Sequence, residues 1–229
     1  MVAGIIVDRA TVLIEGMHLA DNGYSGAHVL DARSVEFWNL TSENNGASPG
    51  ASQSQQAGVY YEEANDVESS SGDVRCLNCT VTGSQGHGIL AIDSVDLWLE
   101  GVELRGNNPS LPALEVDNSR AMPAGASGRV HLTNVEVHAE SPGHPAVKLE
   151  RTAVEVNGLS LSGNHTGIEW NGENNGQFPS YLNNSVFSGT ECLALEGHAA
   201  LGGHGNRISA ACTGGVSLGN SHVNWSGLV

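Results

Sequence analysis

The chain has 229 residues, with 9 Lys+Arg against 25 Asp+Glu and a formal charge of −16. Basic residues this few, scattered without a run, exclude an electrostatic grip on nucleic acid and docking on anionic lipid. Charged residues are only 15% of the chain, against 30 Gly and 20 Asn, so the polar surface is mostly uncharged, as in a turn-rich β protein.

The N-terminal apolar run is interrupted by Asp8 and Arg9 with no basic stretch before it, unlike a signal peptide. No stretch approaches 18 apolar residues, so no membrane insertion is expected. Two short patterns then alternate along the chain. The first is a period-two segment of four residues, usually opened by Gly or Ala, at 4–7, 26–29, 58–61, 88–91, 113–116, 146–149, 167–170, 192–195 and 215–218. Each reads as a short strand. The second is a hexad of apolar, any, Asn or Gly, apolar, any, apolar. It occurs as Ile14-Glu-Gly-Met-His-Leu19, again at 37–42, 76–81 and 99–104, then as Leu132-Thr-Asn-Val-Glu-Val137, and at 156–161 and 182–187. A degenerate eighth copy is read at 208–213. The hexads start 23, 39, 23, 33, 24, 26 and 26 residues apart. Polar insertions at 43–56, 62–72, 118–128, 172–179 and 197–206 lengthen some periods without ending the repeat.

Two short strands per period, with no helical stretch between them, describe the coil of a parallel β-solenoid. Coils stacked at about 4.8 Å place equivalent residues above one another. Hexad positions one, four and six point inward if the chain bends at position three. Asn and Gly suit that bend because both tolerate left-handed backbone. Asn39, Asn78 and Asn134 are therefore expected to form a ladder, with Gly16, Gly101 and Gly158 in the same role, and Leu132, Val135, Leu159, Ile168 and Leu193 to face the core. The whole of 1–229 reads as one domain of about eight to nine coils, a rod of roughly 40 Å.

This alternation of a Gly-hydrophobic strand with a hydrophobic-x-Asn/Gly hexad resembles the right-handed parallel β-helix, the pectin-lyase-like superfamily, over 4 to about 225. The resemblance implies an all-β, right-handed, single-stranded parallel β-helix. It does not choose a function, because the fold carries lyases, hydrolases, uronate epimerases, phage tailspikes and surface adhesins. Such folds usually carry end caps. No amphipathic cap is read here, so self-association or partner contacts are expected to cover the ends.

An acidic residue follows most of the short strands: Asp8, Asp31, Glu62, Asp93, Asp117, Glu150 and Glu196. In register these would form a column of like charges, each raising its neighbour's pKa. Asp93, Asp117 and Glu150, with Arg120 or Arg151, loosely resemble the calcium and arginine arrangement of the fold's pectate lyases. Ten His show no compelling ligand spacing, although His198 and His204 share a Gly-rich loop. Cys76 and Cys79 occupy inward positions one and four of a hexad and read as core packing. Cys192 and Cys212 lie 20 residues apart within one coil, which a disulfide would close. Strand parity turns Tyr24, Trp38, Tyr60 and Trp98 outward, where a ring can pack on the apolar face of a pyranose, while Trp170 falls at a core-facing position.

Two functions follow. The first is a non-catalytic segment of a surface or virion protein, extracellular, acting as rigid shaft, adhesin or weak glycan-binding module. It has no catalytic residue and no cofactor, with Trp38, Tyr60 and Trp98 as glycan-stacking residues. The alternative is a polysaccharide-active lyase, hydrolase or epimerase, with Asp93, Asp117, Glu150 and Arg151 as catalytic or calcium-binding residues.

Overall fold

The computed structural model describes residues 3–52, 54–62, 74–93, 96–118, 128–172, 180–189, 192–196, 200–208, 212, 214, 216–219 and 222–226. The chain is all-β, with parallel pairing at every strand contact among the described residues. A nine-stranded sheet takes one short segment from each repeat, in chain order from Ile5–Asp8 to Val216–Leu218. A fifteen-stranded sheet takes the hexads. Two of its strands, Gly128–Glu140 and Thr152–Asn164, run continuously through the hexad bend. Strands that follow one another in a sheet while the chain visits the other sheet between them define a parallel β-solenoid.

The bend is where residue chemistry sets the fold. Gly16, Asn39, Asn78, Gly101, Asn134, Gly158 and Asn184 occupy hexad position three and stack in register. All have positive φ, from 50° at Asn184 to 84° at Gly158. Only Gly, and less readily Asn, adopts this backbone cheaply. The geometry keeps the ladder intact around the corner: Asn39 N donates to Leu77 O at 2.9 Å and Asn78 N to Glu100 O at 2.8 Å. A Cβ on Gly101 would stand 2.6 Å from Asn78 Oδ1, so the Asn side chain below fills the space the glycine leaves.

Positions one, four and six line the core. Leu132, Val135 and Leu159 are at most 1% exposed, Ile168 is 6% and Leu193 2%, as expected from the pattern. Trp170 also faces inward and donates from Nε1 to Thr152 O at 3.0 Å. Beside it lies an apolar cavity of about 20 Å³, lined in part by Leu132, Val156 and Leu193. Cys76 and Cys79 are buried as expected, but they are also bonded to each other across the bend, and Cys192 is bonded to Cys212.

The eighth hexad corrects the sequence reading. Phe187 pairs with Ile208 and Tyr181 with Gly202, so the copy begins at Gly203 and Gly205, φ 66°, takes the bend. Sequence pattern misses it because buried Asn206 replaces an apolar residue at position four. Asn206 answers by accepting from Ser185 N at 3.1 Å and donating to Leu182 O.

Two substitutions test this construction. Val135→Asp buries a carboxylate in the core and should cost about 3 kcal/mol or more, a fall of roughly 10 °C in Tm for a chain of this size. Asn134→Val forces a β-branched residue into left-handed backbone and should cost about 1–2 kcal/mol, while Asn134→Gly stays close to wild type in the same melting experiment.

Candidate functional site

The expected acidic column divides in two. The inward pairs Val7–Val29 and Ala91–Val116 set the register, which places Asp8 opposite Leu30 and Glu62 opposite Ile92. Asp31 and Asp93 fall one residue later, in a corner column with Arg9, Asn118 and Arg151. Asp31, Asp93, Arg9 and Arg151 all have φ near 50°. Arg9 Nε meets Asp31 Oδ2 at 2.8 Å. Asp117 and Glu150 do lie side by side on neighbouring strands. Arg151 belongs to the adjoining column, and two coil steps, about 9.6 Å, separate its position from that of Asp93. The four residues therefore span three coils in two adjoining columns. Among the described residues, no group of three or more His, Cys, Asp or Glu is placed to hold a metal ion. Arg120 and His198 lie outside the described residues.

A tighter cluster stands on the outer face of the nine-stranded sheet. Glu115 and Lys148 are register partners. Lys148 Nζ lies 3.3 Å from Glu115 Oε1 and 3.0 Å from Glu150 Oε1. Its ammonium thus stands between the two carboxylates, where a metal cation would otherwise be needed to relieve repulsion. Burial acts to lower the Lys148 pKa, but the hydrogen bonds and charges of Glu150 and Glu115 outweigh it and hold the amine above the ordinary lysine value. His87 is buried beside them, with Nδ1 2.9 Å from Pro112 O and 3.5 Å from Glu115 Oε2. Burial lowers its pKa, with Glu115 opposing, so His87 is neutral at pH 7 and donates Nδ1–H to the carbonyl. The repeat held a signal for this pair: Glu115 and Lys148 occupy the same position of consecutive short segments, 113–116 and 146–149, with opposite charge.

Tyr60 is corrected. It points away from the core, as parity requires, yet it is only 3% exposed and packs with Ala57, Leu90 and Ile92 in a second apolar cluster. His28 stacks on its ring at 4.7 Å. No glycan ring reaches it there. Tyr24 is partly exposed in the turn before Ala27–Leu30. Trp38 and Trp98 are exposed, at 40% and 37%, on the outer face of the fifteen-stranded sheet. Trp38 Nε1 donates to Glu36 Oε2 at 3.0 Å.

Trp98 is held face to face within a stack. His131, its register partner, lies parallel at 3.6 Å between ring centroids. Arg75, its partner on the preceding strand, places Cζ 5.3 Å from the ring centroid, a cation–π contact. Glu155 closes the row, with Oε2 3.2 Å from His131 Nδ1. Both neighbours along the stacking direction are thus protein groups.

No protein-family model, curated protein or solved structure matches the chain. Among the described residues, no helix is long and apolar enough to cross a membrane.

Three buried imidazoles make stability depend on pH. Burial lowers the pKa of His87, His131 and His165. The folded values lie below the unfolded one, so below about pH 6.5 the unfolded chain binds more protons. Stability should be full above that pH and decline as pH falls through it. Thermal melts from pH 7.5 to 5.5 should show a falling Tm, with a shallower fall in His165→Gln.

Proposed function

We propose that this chain is a non-catalytic segment of a right-handed parallel β-helix of the pectin-lyase-like kind, with about eight to nine coils. It serves as a rigid shaft or adhesin module of an extracellular surface or virion protein and binds glycans weakly. The observation that carries this reading is the unbroken parallel ladder from Ile5–Asp8 to Val216–Leu218, which insertions interrupt in sequence but not in register. A rod of stacked coils resists bending because each coil is hydrogen-bonded to both neighbours. The disulfides Cys76–Cys79 and Cys192–Cys212 support an oxidising compartment. In the first coil Ile6 and Leu13, which face outward from their strands, are 54% and 60% exposed, which supports a contact there with a partner molecule.

The second reading is a polysaccharide-active enzyme. The observation favouring it is the cluster of His87, Glu115, Lys148 and Glu150 on an outer sheet face. Against it stand the charge of −16, which repels a polyanionic uronan, and the ion pairing of Lys148, which leaves that amine a fixed cation rather than a base.

Turnover separates the two. Unsaturated-product absorbance and reducing-end release should stay at background on pectate, alginate and neutral polysaccharides, with and without millimolar calcium. Robust turnover abolished by Glu115→Gln, Asp117→Asn, Glu150→Gln or Arg151→Ala would establish the enzyme and overturn the shaft.

A further inference from the structure

The exposed rings of the fifteen-stranded sheet differ in what lies against them. Along one outward column the register runs Glu36, Arg75, Trp98, His131, Glu155, Tyr181 and then Gly202. Trp98 is enclosed along this column by Arg75 and His131. Tyr181 is 45% exposed and has a glycine as its neighbour on the next strand. A Cβ on Gly202 would stand 3.3 Å from Tyr181 Cδ1 and 3.4 Å from Cε1. Any other residue there would crowd that edge of the ring. Glycine lets the ring lean over the next coil.

We infer that Tyr181, beside Glu155 and Asn157, is the platform on which this protein binds a neutral glycan chain lying along the solenoid axis. The inference rests on the glycan-binding reading above and assigns its place and its ligand class. Charge decides the class. Among the described residues, the outward ionisable groups of this face before the bend are Glu15, Glu36, Asp96, Glu100 and Glu155 against Arg75 and Arg129, with His131 buried among them and His204 exposed beside Asn183, a set that stays acidic on balance. Such a face repels polyanions. It also disfavours a second copy of itself, because a two-fold contact sets the same carboxylates against one another. An uncharged sugar meets neither obstacle. Its apolar face packs on the phenol ring, and its hydroxyls find an acceptor in the Glu155 carboxylate oxygen that His131 leaves and a donor in the Nδ2 of Asn157, whose Oδ1 accepts from Asn184 Nδ2 at 2.9 Å, on the strand next to Tyr181. Glu100, Thr133 and Asn157 line the adjoining column. Their steps of about 4.8 Å offer polar groups repeatedly along the axis, which suits a linear chain better than a compact ligand.

Calorimetry with cello-, xylo-, malto- and chito-oligosaccharides, each as dimer and hexamer, tests this, with oligogalacturonate as the anionic arm. At least one neutral hexamer should bind the wild-type chain, more tightly than its dimer. Tyr181→Ala should weaken that binding about tenfold, and Gly202→Val should weaken it by displacing the ring while leaving Tyr181 in place. Tyr181→Phe should retain it, as should Trp98→Ala. Binding of no neutral hexamer to the wild type would overturn the glycan reading and this site together. Binding unchanged in both Tyr181→Ala and Gly202→Val would overturn this site alone. Tightest binding to oligogalacturonate would overturn the assignment of ligand class.

Discussion

Everything in this protein depends on one residue per coil adopting left-handed backbone. At Gly16, Asn39, Asn78, Gly101, Asn134, Gly158, Asn184 and Gly205 the chain turns a corner with φ between 50° and 84°. The turn aims the apolar residues before and after it at the same interior. It also keeps the amide pointed at the next coil, so no backbone donor is lost where the strand bends. A residue unable to take that conformation would cost the corner its hydrogen bond or its two flanking side chains their burial. Stacking then multiplies the requirement, because each corner rests on the one before.

The same stacking governs the outer faces. Side chains of equal position are brought within one coil step of each other whether or not their chemistry agrees. The molecule meets this in two ways. Opposite charges alternate, as at Glu115 and Lys148, or planar groups stack, as at Arg75, Trp98 and His131. In both cases the groups satisfy one another rather than standing ready for a substrate. That internal pairing, more than any missing motif, is what favours a structural and binding role over catalysis. It also separates the two kinds of exposed ring: Trp98 is part of the stack, while Tyr181 rests over a glycine.

Most of the fold was legible without coordinates. The hexad and the short strand are periodic signals, and the burial of an apolar side chain obeys parity alone, so Leu132, Val135 and Leu159 were readable as core. Where polar residues do the work of apolar ones the signal fails, as at Asn206, whose burial is tolerated only because Ser185 and Leu182 bond to it. The candidate site was less legible. A carboxylate after a strand looks alike at Asp93 and at Asp117, yet one residue of register puts them in different columns.

Sequence by itself determined which side chains face in, which residues bend, and that coils stack in parallel, because these follow from local backbone preference and the period of hydrophobicity. Tertiary structure alone decided what each outward residue meets. Parity turns Tyr60, Trp98 and Tyr181 outward alike. Only the neighbouring coil buries the first, encloses the second between Arg75 and His131, and leaves the third open over Gly202. The reason is physical: direction is a property of one strand, but exposure is a property of the strands stacked against it.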